Sequence, residues 1–396
     1  MFDKNRHYPL KKIQWDVTQV QRTIQNIVDD AISCFDPETG WPCHPMDSFS
    51  GCNFYMGSAG VLWAIAYLKE ESAVETHFEI EPFLEDQLKV NREEFKNHPH
   101  PDNSSYLLGD LPILMLQYKL SKDKSIADKI YQSIQKNNSE PVRELMWGTA
   151  GTMIAANFMH QWLSELRWKE AFNFQANRLL EEWESISSIG YLWSPELYEE
   201  NRKYLGPVHG FTGNVIPLIK GCRLLPEEQF DLICSRVMET VVNTAESDQN
   251  LANWVAVYDE ENLQQKPTTV QHCHGAPGII TALSELPRYK NDQFDQILEK
   301  GGELVWSAGP LKKGSNLCHG TGGNGYAFLK LFERNQNELW LERARYFAMH
   351  AIEQYELSKE LYGQGRYSLW TGDVGLAIYL WDCIQAQARF PTIDVF

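Results

Sequence analysis

The chain contains no run of about 18 apolar residues, so no transmembrane helix is expected. Its opening residues, MFDKNRHYPLKKIQWD, have no apolar core of signal-peptide type, and a cytoplasmic location is the expectation. Positive charge is in deficit: 36 Lys and Arg stand against 53 Asp and Glu, for a net charge of −17. A field of that sign repels phosphate backbones and argues against a nucleic-acid partner. None of the eight cysteines forms a CxxC pair, which argues against a structural zinc knuckle. In a reducing compartment they read as buried thiols or metal ligands rather than disulfides.

What is present is a repeat. The 396 residues, 43% of them hydrophobic, admit two ordinary domains or one large closed repeat architecture. Six Gly-x-x-Gly turns begin at Gly57, Gly148, Gly210, Gly275, Gly320 and Gly372, and a seventh at Gly109 has Pro112 in place of its second glycine. Their spacing runs from 39 to 65 residues. Each is followed by an apolar stretch, among them VLWAIAYL, TMIAANFM and GYAFLKLF, of the kind a helix buried on most sides would have. Between them lie amphipathic segments such as WDVTQVQRTIQNIVDDAISCF and NELWLERARYFAMHAIEQY, with apolar residues every three or four positions. Pro226-Glu227-Glu228 has the chemistry of a first helical turn. Each repeat therefore reads as an outer amphipathic helix, a turn and an inner apolar helix. Seven such hairpins predict an all-α fold closed into an α/α toroid, one domain over residues 1–396, with the inner helices starting on a common face. An open solenoid of TPR or HEAT type is the alternative, but its repeats are shorter and place no glycine pair before the second helix. Stretches 36–56, 187–208 and 247–271 are not explained by helices and read as lids or binding loops.

Three histidines fall in or beside the turns: His209 in PVHGFTG, His274 in QHCHGAPG and His319 in NLCHGTGG. Cys273 and Cys318 directly precede His274 and His319. An isolated Cys or His is usually a buried or backbone-satisfying residue. Two Cys-His-Gly tripeptides at equivalent repeat positions argue for more, because a toroid brings such positions together. Cys273, Cys318 and His319 would make a Cys₂His zinc site with a fourth position open to water or substrate. Thiolates near helix N-termini gain from the helix dipole, and sulfur ligands argue against magnesium or calcium. His272 and His274 remain competing ligands. Glu144, four residues before Gly148, belongs at the mouth of an inner helix or on a solvated surface. His209 has the chemistry of a general acid or base, or of a turn residue.

QHCHGAPGI and GPLKKGSNLCHGTGGNGYAFL resemble the two zinc motifs of the lanthionine synthetase C-like family, and the likeness runs essentially end to end. The segment GPLKKG and the ending ARFPTIDVF look closer to stand-alone, eukaryotic-type members than to lantibiotic cyclases. The resemblance implies an (α/α)₇ toroid with central zinc on Cys273, Cys318 and His319. It places a catalytic histidine at His209 and an acidic residue at Glu144, where cyclases have aspartate. It matches His274 to a position that is often tyrosine in cyclases and histidine in stand-alone members. The chain departs from the cyclases at Thr269, where they have arginine, and at His272, where the family has tryptophan. The implied reaction is Michael addition of a thiol to dehydroalanine or dehydrobutyrine, forming a thioether. The thiol is a peptide cysteine in cyclases and glutathione in stand-alone members. The dehydro residue would come from a separate kinase or dehydratase acting upstream. On this reading His274 would stabilise an enolate oxygen, and Lys312 and Lys313 would attract glutathione carboxylates unless they are merely a solvated basic pair. Three rivals stay open: a cyclase of a dedicated precursor, a glycosidase built on the same kind of toroid, and a non-catalytic zinc- and glutathione-binding scaffold.

Overall fold

The computed structural model describes residues 1–48, 51–96, 103–140, 142–194, 196–197, 200–259, 266–288 and 292–396. Among them fourteen α-helices form seven consecutive pairs. These are α1 (Val17–Ser33) with α2 (Ser58–Glu70), α3 (Leu84–Phe95) with α4 (Leu111–Ser121), and α5 (Lys124–Asn137) with α6 (Thr149–Leu163). Then come α7 (Leu166–Glu181) with α8 (Phe211–Lys220), and α9 (Glu227–Thr244) with α10 (Ala276–Leu283). The last are α11 (Asp292–Ala308) with α12 (Thr321–Asn335), and α13 (Glu338–Tyr362) with α14 (Asp373–Gln385).

The two members of a pair differ as their sequences require. In α1 the buried residues are Val20, Thr23, Ile24, Ile27, Val28 and Ala31, one stripe at helical spacing. In α12 every residue from Thr321 to Phe332 is buried. Odd-numbered helices are thus the outer layer and even-numbered ones the inner layer. Polar caps fix several outer helices: Asp16 accepts from Thr18 N and Gln19 N before α1, and Asn337 accepts from Leu339 N before α13. Pro226 and two glutamates open α9, as their chemistry dictates. All seven inner helices begin at the turns, with Gly57, Gly148, Gly210, Gly275, Gly320 and Gly372 as N-caps and Asp110 in the degenerate one.

The ring closes twice. Helix α14 packs against both α1 and α2, joining the last pair to the first. A belt of backbone hydrogen bonds also links the segments that lead into the turns. Tyr55 N donates to Leu107 O, Leu107 N to Met146 O, and Leu145 N to Val208 O. Cys273 N donates to Cys318 O at 3.3 Å, Cys318 N to Trp370 O at 2.9 Å, and Trp370 N back to Tyr55 O at 3.0 Å. Apart from Leu145, these residues all stand two positions before the first glycine of their turn. Between the α8 and α10 turns the approach is made by Gly206, two residues before Val208: a Cβ there would lie 2.0 Å from the Cys273 carbonyl oxygen.

The second glycine of each turn is needed because the incoming chain crosses its own helix. A Cβ on Gly323 would meet Leu317 O at 1.7 Å, and one on Gly278 would meet His272 O at 1.9 Å. The same relation, to the carbonyl six residues back, holds at Gly60, Gly151, Gly213 and Gly375. Ridged helix surfaces alone would not bring seven loops this close to one axis.

Short two-stranded antiparallel ribbons occupy two of the three stretches left over by the helical reading. They pair β1 (Glu184–Ile186) with β2 (Gly190–Leu192), β3 (Glu196–Leu197) with β4 (Glu200–Asn201), β5 (Lys203–Tyr204) with β8 (Val257–Tyr258), and β6 (Glu246–Ser247) with β7 (Ala252–Asn253). The β5–β8 pair ties stretch 187–208 to stretch 247–271. Residues 49–50, 195, 198–199 and 260–265 of the three stretches lie outside the described residues.

The C-terminal segment fills the axis. Phe390 stacks on His272, the Tyr106 hydroxyl donates to Thr392 O, and Asp394 pairs with Lys220 and Lys330. The Phe396 ring packs among Phe54, Trp63, Phe158 and Trp162. These partners come from all around the ring, so the tail is a plug that supplies the centre of the core.

Candidate metal centre

Cys273 stands just before α10, and Cys318 and His319 just before α12. The belt makes their segments neighbours, and one ligand atom from each of the three side chains lies within 4.8 Å of the others. Both cysteines are buried and His319 is half-buried. His319 Nε2 sits 3.6 Å from the Cys318 sulfur, and the His319 backbone N–H is held by Asn316 Oδ1 at 2.9 Å.

The loop that presents Cys273 is tight. Gln271 and His274 exchange both backbone hydrogen bonds, at 3.1 Å each. Gly275 follows with φ +102°, a conformation open to glycine, and Asn253 Oδ1 caps Ala276 N from a distant strand. Alternate residues of this loop diverge. Cys273 faces Cys318, whereas His272 turns to the plug, its ring 4.5 Å from that of Phe390 and nearly parallel to it. Burial pushes His272 down to about 4, which keeps it neutral at ordinary pH. It therefore stands apart from the three-residue cluster, and so does His274.

The two thiols act as a pair. A hydrogen bond from Cys318 holds Cys273 well below the usual thiol range, and burial pushes Cys318 well above it. The pair thus takes one negative charge readily, on Cys273, and resists a second without a cation. Two sulfurs and an imidazole in this spacing form a donor set suited to zinc and ill-suited to hard cations.

Each sulfur also receives a donor. The Tyr55 hydroxyl donates to Cys318 Sγ at 2.8 Å, and Gln271 Nε2 donates to Cys273 Sγ at 2.8 Å. Complete burial raises the Tyr55 phenol well above its ordinary range, so it stays protonated and is the donor of that bond. Arg6 in turn grips Gln271 Oε1 at 2.7 Å and Thr269 Oγ1 at 3.1 Å. A guanidinium from the far end of the chain therefore lies against Thr269. Arg6 has no local signal, since 263 residues separate it from Thr269. Tyr55 had one: it stands two residues before Gly57, as Cys273 and Cys318 stand before Gly275 and Gly320.

A second polar group lies beside the cluster. The loops before α6 and α8 are joined by the Leu145–Val208 bond, which brings Glu144 to His209. His209 Nδ1 is 2.8 Å from Glu144 Oε2, and the other carboxylate oxygen accepts the Trp147 N–H. Glu144 is fully buried and His209 partly exposed. His274 follows Cys273 directly in the chain. It is half-buried, its ring stacks toward Tyr204 at 6.4 Å, and Tyr204 lies 6.4 Å from the His209 ring. Burial lowers its pKa; the Cys273 charge opposes that shift, and His209 and His319 add to it. Lys312 and Lys313 are exposed, and they line a cavity of about 210 Å³ with Tyr8, Asn316 and Arg366. The Lys312 ammonium lies 5.8 Å over the Tyr8 ring.

A model of the family described as "Lanthionine synthetase C-like protein" matches residues 3–395. The glutathione S-transferase LANCL1 of Danio rerio is 29% identical over 264 residues, which is 64% of this chain and 62% of that protein. The LanC-like protein GCL1 of Arabidopsis thaliana is 25% identical over 260 residues, 64% of this chain and 58% of that protein. The matched part thus spans less than two thirds of either relative. Among solved structures, nisin cyclase superposes with a TM-score of 0.62 at 14% identity, covering 94% of this chain and 95% of its own. No helix among the described residues is long and apolar enough to cross a membrane.

Proposed function

The chain belongs to the lanthionine synthetase C-like family, and from that premise we propose that it is a zinc enzyme adding a thiol, glutathione by preference, to dehydroalanine or dehydrobutyrine residues of a peptide or protein. The observation that carries this reading is the convergence of Cys273, Cys318 and His319 within 4.8 Å beside the hydrogen-bonded pair of His209 and Glu144. The name of the Danio rerio relative supports glutathione as the nucleophile.

Cys273, Cys318 and His319 would hold zinc. Bound there, zinc would make a coordinated thiol, ordinarily of pKa ~8.5, acidic enough to ionise at neutral pH. The remaining work falls to the chain's own residues. As the carbon–sulfur bond forms at the β-carbon, the carbon–carbon double bond is lost and charge moves to the carbonyl oxygen. His274 would stabilise that oxygen. His209 then delivers the proton to the α-carbon, so the proton lost by the thiol is returned and no other reactant is consumed. Glu144 holds Nδ1 of His209, which makes Nε2 the working nitrogen and steadies the ring when it is charged. Lys312 and Lys313 would draw the carboxylates of glutathione toward the ring face.

The test is incubation with a dehydrated peptide, with and without glutathione, followed by mass spectrometry. An adduct that requires both enzyme and glutathione is expected. Loss of the peptide's own free thiol without added mass would instead identify a cyclase. Absence of any reaction by the zinc-loaded protein would identify a scaffold, and either result overturns the proposal.

A further inference from the structure

Two thiolates and a neutral imidazole cancel the double charge of zinc, which would leave the ion a weak acid toward a third sulfur. The chain supplies a correction at both sulfurs. Cys318 receives the Tyr55 hydroxyl and Cys273 the Gln271 amide, each at 2.8 Å. Both sulfurs are buried, so these bonds act where the local dielectric is low.

Neither donor is there by accident of packing. The Tyr55 backbone is pinned on both sides by the belt, through its N–H to Leu107 and its carbonyl to Trp370, and its ring packs 5.5 Å from that of Trp370. The Gln271 amide could in principle turn its oxygen toward the sulfur. Arg6 prevents this, because its guanidinium claims Gln271 Oε1 at 2.7 Å and leaves the nitrogen facing Cys273. A guanidinium–amide–sulfur chain results, in which each bond polarises the next.

We propose that Tyr55 and Gln271 are positioning residues for the metal thiolates, each drawing charge from one sulfur so that the ion held by Cys273, Cys318 and His319 stays electrophilic. The inference rests on the metal-centre reading above. It adds that two neutral donors outside the ligand set govern how strongly the sulfurs donate. A sulfur that loses its donor becomes the stronger electron donor to a bound ion, and also loses a contact that holds it in position for that ion.

Cobalt(II) in place of zinc reports this directly, because sulfur-to-cobalt charge-transfer bands follow sulfur donation. Wild-type protein should show such bands. Tyr55→Phe should move them to longer wavelength and weaken cobalt binding on the order of tenfold. Gln271→Leu should do the same at the other sulfur, and it decides the matter if Tyr55→Phe does not fold. A folded variant with wild-type band position and affinity would overturn the inference. Wild-type protein lacking thiolate-to-cobalt bands would instead overturn the metal-centre reading itself, whatever the variants do.

Discussion

His209 and Glu144 show how much a single contact can decide. A carboxylate fully buried beside a histidine, at 2.8 Å, fixes the orientation of the ring. His209→Ala should therefore leave zinc content unchanged and lower kcat by roughly 10²–10⁴-fold. Normal turnover by this variant would remove the acid–base role. Asp382, on α14, is a second residue whose surroundings set a measurable behaviour. Burial pushes its carboxyl up to about 8, and the Arg389 guanidinium, 3.5 Å away and turned toward Glu71, offsets this only in part. The unfolded chain ionises this group near ~4, so the folded state alone keeps the proton between those values. Its stabilising effect is complete in acid and is lost as pH rises through about 8. Thermal unfolding should show Asp382→Asn gaining on wild type as pH rises across that window. Identical pH profiles would contradict the assignment. At this scale the sequence was legible where a motif repeats, at Cys273, Cys318 and His319. It was silent on Arg6, whose contacts lie hundreds of residues away, and it left His272 and His274 as competing ligands, neither of which joins the three-residue cluster.

At the scale of the element, the recurring unit is a turn whose second glycine lies under its own incoming chain. Gly323→Ala would force a Cβ to within 1.7 Å of Leu317 O and 3.0 Å of the His272 Cβ. A cost of more than ~2 kcal/mol is expected from denaturant midpoints. At Gly363, where φ is +70° but nothing lies within 4 Å, alanine should cost only ~1 kcal/mol. Equal effects would mean that backbone strain, and not the crossing, demands these glycines. The turns and the two classes of helix could be read from the sequence because burial on one stripe or on all sides leaves different periodicities. The ribbons β1 to β8 could not, since most have only two residues to a strand and too little pattern to register.

At the scale of the molecule, what matters is closure. The belt and the packing of α14 on α1 and α2 convert equivalent repeat positions into neighbours in space. The count of seven turns was legible; the plug formed by residues 387–396 was not, because a short aromatic tail gives no sign of where it packs. Closure is also what brings residues 273 and 318, distant in sequence, to one point, and the function proposed rests on that meeting. Elemental analysis of purified protein tests it most directly. About one zinc per chain is expected in wild type, with most of it lost from both Cys273→Ala and Cys318→Ala while the fold persists. Full zinc retention in either variant would contradict the account.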